Sequence, residues 1–405
     1  MSKYEVVPVP EALAIVRSAT PVLGTETVPT AEADGRVLAE DLTSAEDVPP
    51  FRASTVDGFA IIAGDGLQPR RVTDEIMAGV ANRPTIGPGT AARIMTGAPL
   101  PPGADAVVMI EYTHVDDGQL TLDRRAREGE NVRPIGIDIT AGAPVLERGT
   151  IIGVAEVGIL MTLGIAQVTC YRRPLVGVLS TGDELVEPWE PVPAGGIRDS
   201  NRYALMAAVR EAGGLPISLG SVKDDRELQT QRVREGVAQV DVLLTSGGVS
   251  VGDRDFIKLA LEEIGRVHFG RIAFRPGLPL TFTQIGHKLA FGLPGNPVSS
   301  LVTFEVFVRP ALRVMQGDRQ PERARVEVEL AHEIRRGGDR LEYHRVIVSF
   351  EGGRLVARST GLQISSRLLS MSGHNGLAIV ETGDGLLPAG TRIPAILTGP
   401  IQGLA

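Results

Sequence analysis

A buried-type strand that ends in a glycine-rich turn constrains this chain more than any other feature. The apolar run Val242–Thr245 leads into Ser-Gly-Gly-Val-Ser-Val-Gly, and Asp253 and Asp255 follow. Glycines at a strand end allow backbone N–H groups to face an anion, and nearby carboxylates can hold Mg²⁺ beside it. Such turns also serve only to reverse the chain. The turn therefore predicts a phosphate site only if neighbouring segments agree.

Two other apolar runs also end in small polar residues. Val176–Leu179 leads into Ser-Thr-Gly-Asp-Glu, and Leu289–Phe291 leads into Gly-Leu-Pro-Gly-Asn. Short apolar runs of this type are typical of strands buried in a parallel sheet. In open α/β sheets, ligands bind outside the carboxyl ends of the strands. The three strand ends therefore predict one site.

Carboxylates recur at these predicted strand ends. Asp183 and Glu184 follow the first strand, Asp224 follows the second, and Asp255 follows the third. Each alone could be a solvated surface group, but several at one edge can hold Mg²⁺ against a phosphate. Mg²⁺ is thus the expected cofactor. In contrast, Asp199 and Asn201 precede a predicted helix, where capping is the expected role.

Two arginines form a second candidate group. Arg271 and Arg275 are four residues apart in a predicted strand, so both should lie on one face, with Ile272 and Phe274 on the other. Guanidinium groups can grip an oxyanion through paired hydrogen bonds. The pair could equally lie on an exposed sheet face.

Composition excludes several classes of protein. A chain of 405 residues predicts two to four domains, and a net charge of −8 without Lys/Arg-rich runs argues against nucleic acid as a partner. The single cysteine, Cys170, excludes an internal disulfide and a cysteine-based zinc site. The sequence contains neither a signal-peptide core nor an apolar run of 18 residues. We therefore expect a cytoplasmic protein with no membrane association.

The first part of the chain combines helical and β patterns. Helical spacing of apolar residues occurs at 10–20 and 152–163. Between these helices, short β-type runs alternate with Gly/Pro turns, which predicts a small inserted β domain. The β-type runs are 59–62, 92–95, 106–110 and 119–122.

The second part of the chain alternates strand and helix and then returns to β structure. Residues 174–312 predict a doubly wound α/β sheet. From about residue 318 the pattern is typical of β-hairpins, most clearly at 346–357 around Glu-Gly-Gly. The fold class is therefore multidomain α/β plus β.

Seven sequence strings resemble one known family over nearly the whole chain. The chain is similar to the molybdopterin molybdenumtransferases, of the MoeA type and the E domain of gephyrin. The strings SGGVSVG and GLPGNPVS are shared with the pterin adenylyltransferases, whereas VDGFA and TGAPLPPGADAVV distinguish the transferase. The matching strings are PPFRASTVDGFA (49–60), RIMTGAPLPPGADAVV (93–108), TGDEL (181–185), IRDSN (197–201), SGGVSVGDRDF (246–256), RPGLP (275–279) and GLPGNPVS (292–299).

The resemblance implies an architecture and a reaction. It implies an elongated homodimer that inserts molybdate into adenylylated molybdopterin with Mg²⁺, releasing AMP and forming molybdenum cofactor. Contact with the adenylyltransferase that supplies the substrate is a further expectation. The implied domains are a mixed helical domain (1–45 and 141–173), an inserted β domain (46–140), the α/β molybdopterin-binding domain (174–316) and a C-terminal β-barrel (317–405).

The resemblance also assigns site residues. Glu184, Asp224 and Asp255 would bind magnesium and the pterin nucleotide, and Arg275, Arg345 and Ser365 would bind the oxyanion. The implied catalytic residues are Asp57, Thr96, Asp138, Glu184, Asp224 and Asp255, of which the first three would complete the site from the other subunit. The implied substrate-binding residues are Thr181, Gly182, Asp183, Ser246, Gly247, Gly248, Ser250, Gly252, Arg271, Arg275, Pro294, Gly295, Asn296, Arg345 and Ser365.

Two other functions remain open at this point. A molybdopterin adenylyltransferase would use the same α/β domain, but it would leave residues 1–170 and 316–405 unexplained. A non-catalytic molybdopterin carrier or scaffold is suggested by Ile137 and Leu278, which stand where the family usually has Glu and Lys. The retained acidic residues argue against the scaffold.

Overall fold

The computed structural model has the multidomain α/β plus β architecture that the sequence predicts. The predicted site residues Ser250, Gly252 and Asp255 lie outside the described residues. No helix in the described part of the chain is long and apolar enough to span a membrane. The described residues are 5–79, 84–248 and 256–403.

The N-terminal segment begins with the predicted helix. Pro10 lies in its first turn, where a missing backbone N–H leaves no broken hydrogen bond. Val9, Ala12 and Val16 are buried and pack against the main core, which extends into the α/β region. The elements are α1 (Val9–Ala19), β1 (Thr25–Pro29), a 3₁₀ turn (Thr30–Glu32) and β2 (Leu42–Thr43).

The inserted region forms a six-stranded sheet with an apolar cluster on each face. Its elements are β3 (Ala53–Ser54), β4 (Gly58–Ile61), a 3₁₀ turn (Ala63–Asp65), β5 (Arg70–Ile76), β6 (Thr90–Ile94), β7 (Ala106–Met109), a second 3₁₀ turn (Ile110–Tyr112), β8 (Thr113–Asp116), β9 (Gln119–Leu122) and β10 (Val132–Arg133). The strand order is β7-β4-β6-β5-β9-β8, and β10 pairs with β3. The four predicted strands are confirmed as β4, β6, β7 and β9.

Strands β5 and β8 of this sheet were not predicted from the sequence, and β5 is the longer of the two. Its residues, RRVTDEI, are mostly polar, so they lack the apolar run used to recognise the other strands. The Arg70 side chain is nevertheless fully buried, and its guanidinium donates to the carbonyls of Gln68 and Gly66, each at 2.8 Å. The side chain thus stabilises the turn before the strand, a role that the sequence pattern does not reveal.

The chain then pairs back onto its N-terminal segment. β1 pairs with β12, and β2 pairs with β11, both antiparallel. Segments on the two sides of the inserted sheet thus form one small unit with its own apolar cluster. The exact domain limits stay a prediction. The closing elements are β11 (Pro144–Leu146), α2 (Val154–Thr162) and β12 (Gln167–Tyr171).

The α/β region is built on a mixed six-stranded sheet in the order β16-β13-β17-β21-β20-β18. Its elements are β13 (Leu175–Thr181), β14 (Leu185–Val186), β15 (Ile197–Arg198), α3 (Ser200–Glu211), β16 (Leu215–Val222), α4 (Arg226–Gln239), β17 (Val242–Ser246), α5 (Phe256–Ile264), β18 (Arg266–Arg271), β19 (Phe274–Arg275), β20 (Pro279–Ile285), β21 (Lys288–Leu293), α6 (Pro297–Thr303), a π-helical turn (Phe304–Val308) and α7 (Arg309–Met315). The first four strands of the sheet are parallel, whereas β20 is antiparallel to both of its neighbours, β21 and β18. Separate apolar clusters cover the two faces, so the sheet is buried as predicted.

The C-terminal region forms a closed five-stranded barrel in the order β24-β25-β22-β28-β26, with β26 pairing back to β24. The predicted hairpin at 346–357 is confirmed by the pairing of β24 with β25. Closure removes free strand edges within the barrel. The elements are β22 (Arg325–Leu330), β23 (Ile334–Arg335), β24 (Leu341–Glu351), β25 (Arg354–Ser359), a 3₁₀ turn (Leu368–Met371), β26 (Gly376–Val380), β27 (Leu386–Leu387) and β28 (Arg392–Leu397).

The prediction of one continuous strand from Arg271 to Arg275 was wrong. β18 ends at Arg271, and β19 instead pairs with β24 of the barrel. The intervening Ala273 N–H donates to the Val7 carbonyl at 2.8 Å, which takes the chain out of the first sheet. Ile272 and Phe274 are both buried. The two arginines therefore belong to different sheets and do not share one strand face.

Candidate active site

Three neighbouring parallel strands end at one edge of the α/β sheet, as the sequence predicts. Ser180 of β13 is in register with Ser246 of β17, which is in register with Leu293 of β21. The segments that follow these strands line a cleft of about 850 Å³. The predicted residues that line it are Thr181, Gly182, Glu184, Asp224, Ser246, Gly247, Gly248, Pro294, Gly295 and Asn296.

The glycine turn after β17 requires glycine for steric reasons. Gly247 has φ +93°, and a Cβ there would lie 2.7 Å from the Thr181 carbonyl oxygen. Gly248 has φ +66°, and its Cβ would lie 2.7 Å from Cγ1 of Ile257. The Gly247 N–H donates to the Leu293 carbonyl at 3.1 Å. This amide is therefore used within the protein, so a bound anion must be held by other groups of the cleft.

A polar network connects the three strand ends. The Asn201 Nδ2 group donates to Ser246 Oγ at 2.9 Å and to the Gly295 carbonyl at 2.7 Å. Asp199 is buried and caps helix α3 by accepting the Arg202 N–H at 3.1 Å, as predicted, while it also accepts from Ser180 Oγ at 2.9 Å. Asn201 thus fixes the relative positions of two turns, a role that its predicted capping function did not include.

Two carboxylates of the predicted magnesium set line the cleft. Glu184 folds back over Gly182, where an added Cβ would lie 2.6 Å from Glu184 Oε2. Asp224 Oδ1 accepts from Gln229 Nε2 at 3.1 Å, and the Asp224 N–H donates to Asp183 Oδ1 at 3.1 Å. Asp183 therefore supports Asp224 and does not itself line the cleft.

These oxygen donors have the chemistry that Mg²⁺ prefers. Among the described residues, no three His, Cys, Asp or Glu side chains form a group that could hold a metal ion. The third member of the predicted set, Asp255, falls in 249–255 and lies outside those residues. The magnesium assignment stays a prediction.

The structure pairs Asp57 with Thr96 but does not bring either into the cleft of the same chain. Asp57 Oδ1 accepts from the Thr96 N–H and from Thr96 Oγ1, both at 2.7 Å. These bonds, first the backbone one and then the side-chain one, hold the pKa of Asp57 below its ordinary value. Asp138 is exposed, and its N–H donates to the Val48 carbonyl at 3.0 Å. None of the three is among the described residues that line the cleft.

The predicted oxyanion residues are also absent from the described lining of the cleft. Arg275 is half exposed and donates from Nη1 to Glu342 Oε1 at 2.7 Å, and Arg271 ends β18 opposite Pro279. The Ser365 carbonyl accepts the Val298 N–H at 3.1 Å, beside Ser366 of the cleft.

Arg345 is a buried cation whose described partners are all neutral. Its Nε donates to Ser370 Oγ at 3.3 Å and its Nη2 to the Ile364 carbonyl at 3.4 Å. Burial lowers the pKa of Arg345 to about 10. A guanidinium without a nearby carboxylate can accept an anionic ligand, which is consistent with the predicted role.

The buried carboxylate of Glu342 connects Arg275 to His344. His344 Nε2 lies 2.8 Å from Glu342 Oε2. Burial raises the pKa of Glu342, but the hydrogen bond and charge of His344, together with Arg275, outweigh burial, so this pKa lies below its ordinary value. A carboxylate with a lowered pKa in the folded state stabilises the fold above about pH 4.5, and this contribution is lost as the pH falls through the folded-state pKa.

We therefore expect Glu342→Gln to destabilise the barrel by about 2 kcal/mol at pH 7, because it removes one partner of a partly buried ion pair. The deficit should shrink as the pH falls below 4.5, because the carboxyl of the unfolded wild-type chain then becomes protonated, and that of the folded chain follows below its lowered pKa. Hydrogen exchange of the β24 and β26 amides at pH 7 and pH 4 measures both values. The exposed Glu327→Gln on β22 is the control. A deficit that is equal at both pH values would contradict the charge assignment.

Several residues of the cleft were not predicted as site residues. The IRDSN string supplies five of them because β15 pairs with β14 and returns the chain to the strand ends. The barrel supplies Ser366 and Leu368. The IRDSN residues could have been predicted, because their string matches the family. The two barrel residues could not, because only tertiary packing brings them to the cleft. The IRDSN members are Ile197, Arg198, Asp199, Ser200 and Asn201.

Comparisons with known proteins agree with this architecture. Three family models match: the MoeA N-terminal region (domain I and II) at residues 7–164, the Probable molybdopterin binding domain at 177–314, and the MoeA C-terminal region (domain IV) at 327–398. The cleft lies mainly in the second of these regions.

Relatives with similar sequences and structures cover almost the whole chain. Gephyrin from Dictyostelium discoideum is 37% identical over 99% of this chain, which spans 63% of gephyrin's own length. The molybdopterin molybdenumtransferase of Bacillus subtilis is 36% identical over 97% of this chain and 92% of its own. A molybdopterin biosynthesis MoeA protein from Pyrococcus horikoshii superimposes with a TM-score of 0.84 at 33% identity, covering 98% of this chain and 100% of its own. The chain therefore belongs to the MoeA family of molybdopterin molybdenumtransferases.

Proposed function

We propose that this protein inserts molybdate into adenylylated molybdopterin, releasing AMP and forming molybdenum cofactor. The observation that carries the proposal is the cleft where three parallel strands end in Thr181-Gly182, Gly247-Gly248 and Gly295-Asn296. Its position within the matched molybdopterin binding domain, in a chain that also has the other MoeA regions, supports the transferase over an adenylyltransferase, which needs only the α/β domain.

Magnesium is part of the proposal. Glu184 and Asp224 would hold the ion, with Asp255 as the third carboxylate. When bound, Mg²⁺ would neutralise charge on the phosphoanhydride of the substrate. The protein's own groups position the substrate, because Asn201 fixes the turns around Ser246 and Gly295.

We also propose which residues bind the molybdate oxyanion and which residues a second subunit contributes. Arg275, Arg345 and Ser365 would hold molybdate, and Arg271 would bind the substrate. Of these, Arg345 has the clearest supporting observation because it is buried without a described carboxylate partner. Asp57, Thr96 and Asp138 would complete the cleft of a partner subunit in a homodimer. We further propose a cytoplasmic location and transient contact with the adenylyltransferase that makes the substrate.

The direct test is single-turnover conversion of adenylylated molybdopterin by the purified protein. We expect AMP release to require both molybdate and Mg²⁺, and molybdenum cofactor to appear with the same time course. AMP release that is independent of molybdate would reject the transferase. Formation of adenylylated molybdopterin from ATP and molybdopterin would instead support the adenylyltransferase, and substrate binding without either reaction would support a carrier.

A further inference from the structure

The described residues give the cleft more negative than positive side chains. Glu184 and Asp224 both line it, and Asp199 is already engaged by Arg202. Arg198 is the only lysine or arginine among the described residues that line the cleft. A ligand that carries phosphoryl groups needs positive charge or hydrogen-bond donors at such a site, and the Gly247 amide is taken by Leu293.

The Arg198 side chain is held at one edge and free at the other. Its Nε donates to the Pro188 carbonyl at 2.9 Å. In the part of the chain that the structure describes, its two Nη groups have neither a hydrogen-bond acceptor nor a carboxylate within an ion-pair distance. A guanidinium fixed through Nε presents its Nη groups with little loss of conformational freedom, which suits bidentate binding of a phosphate.

The local fold places Arg198 beside the strand end that carries Glu184. The Ile197 N–H donates to the Glu184 carbonyl at 2.8 Å, and Arg198 is in register with Val186 in the β14–β15 pair. The nearby Arg202 differs, because it is buried and bonded to Asp199 and to Ser218 Oγ. Arg202 thus stabilises the fold, whereas Arg198 remains available to a ligand.

We propose that Arg198 binds a phosphoryl group of the nucleotide-linked substrate through its Nη groups. The ligand class is a phosphate monoester or phosphoanhydride. This inference rests on the proposed function, since that function supplies the nucleotide substrate. It adds a substrate-binding cation on the α/β domain of the same chain, on the segment that pairs with the strand end carrying Glu184.

Binding of AMP and of inorganic pyrophosphate to the full-length protein tests this proposal. Calorimetry gives the affinity, and fluorescence gives a local signal because Trp189, the one tryptophan of the chain, is 74% exposed and directly follows Pro188. We expect Arg198→Ala to raise the Kd for both ligands about tenfold, through loss of charge-assisted hydrogen bonds. Arg198→Lys should give an intermediate Kd because it keeps the charge without the planar fork.

The matched control is Arg234→Ala, which removes an exposed arginine that pairs with Glu263 away from the cleft. Its Kd values should equal those of the wild type. If Arg198→Ala binds both ligands with wild-type affinity, the proposal is overturned and the proposed function stands. If the wild type binds pyrophosphate in an Arg198-dependent manner but does not bind AMP, Arg198 is supported and the nucleotide substrate is rejected. If the wild type binds neither ligand, both are rejected.

Discussion

Replacing Glu184 by glutamine is expected to lower the single-turnover rate of AMP release by about 100-fold or more, as is typical when a group that stabilises charge in the transition state is lost. The change keeps the size of the side chain but removes its charge. Glu184 lines the cleft and folds back over Gly182, so glutamine fits the same space. The loss should therefore reflect chemistry and not folding.

Measuring the rate of the Glu184 variant at several Mg²⁺ concentrations distinguishes metal binding from direct action on the substrate. If Glu184 binds the metal, higher Mg²⁺ concentrations should recover part of the rate by mass action. Glu227→Gln is a matched control, because Glu227 is an exposed carboxylate in the first turn of α4 and does not line the cleft. A variant at Glu184 that turns over at the wild-type rate would reject the assignment. A loss that no Mg²⁺ concentration relieves would indicate direct action on the substrate.

The sequence predicted the frame of the cleft well because the signals are local. Each of the strands β13, β17 and β21 is a short apolar run that ends in small polar residues, and parallel strands necessarily place their carboxyl ends at one edge. Because both faces of this sheet are buried, its central strands need apolar side chains at consecutive positions, and such runs are easy to recognise. The same reasoning placed Glu184 and Asp224 at this edge, and both line the cleft.

Other parts of the site depend on tertiary contacts that the spacing of residues in the sequence does not reveal. Arg271 and Arg275 suggested one strand, but the Ala273 amide bonds to Val7, far earlier in the chain, and separates them. Arg198 reaches the cleft because two very short strands pair, an arrangement too small to produce a periodic pattern. Ser366 comes from a loop of the barrel, so its position follows only from the packing of separate regions.

The position of Asp57 leads to the second prediction. Asp57 and Thr96 form a preorganised pair whose carboxylate has a lowered pKa, yet they do not line the described cleft of their own chain. If they complete the cleft of a partner subunit, Asp57→Asn and Glu184→Gln should each inactivate a homodimer. A heterodimer of the two variants would contain one site with both residues intact and one site with both replaced.

Coexpression of the two variants with different affinity tags, followed by tandem purification, isolates this heterodimer. In a random mixture half of the dimers are mixed, and each mixed dimer has one intact site of two, so the unsorted mixture should regain about a quarter of the wild-type rate. The purified heterodimer should regain about half of it. A pairing of Asp57→Asn with the Asp57→Asn/Glu184→Gln double variant is the control, because no site in that dimer has both residues. Absence of recovery in the heterodimer would show that Asp57 does not act across the subunit interface, since a site built within one chain would be damaged in both subunits.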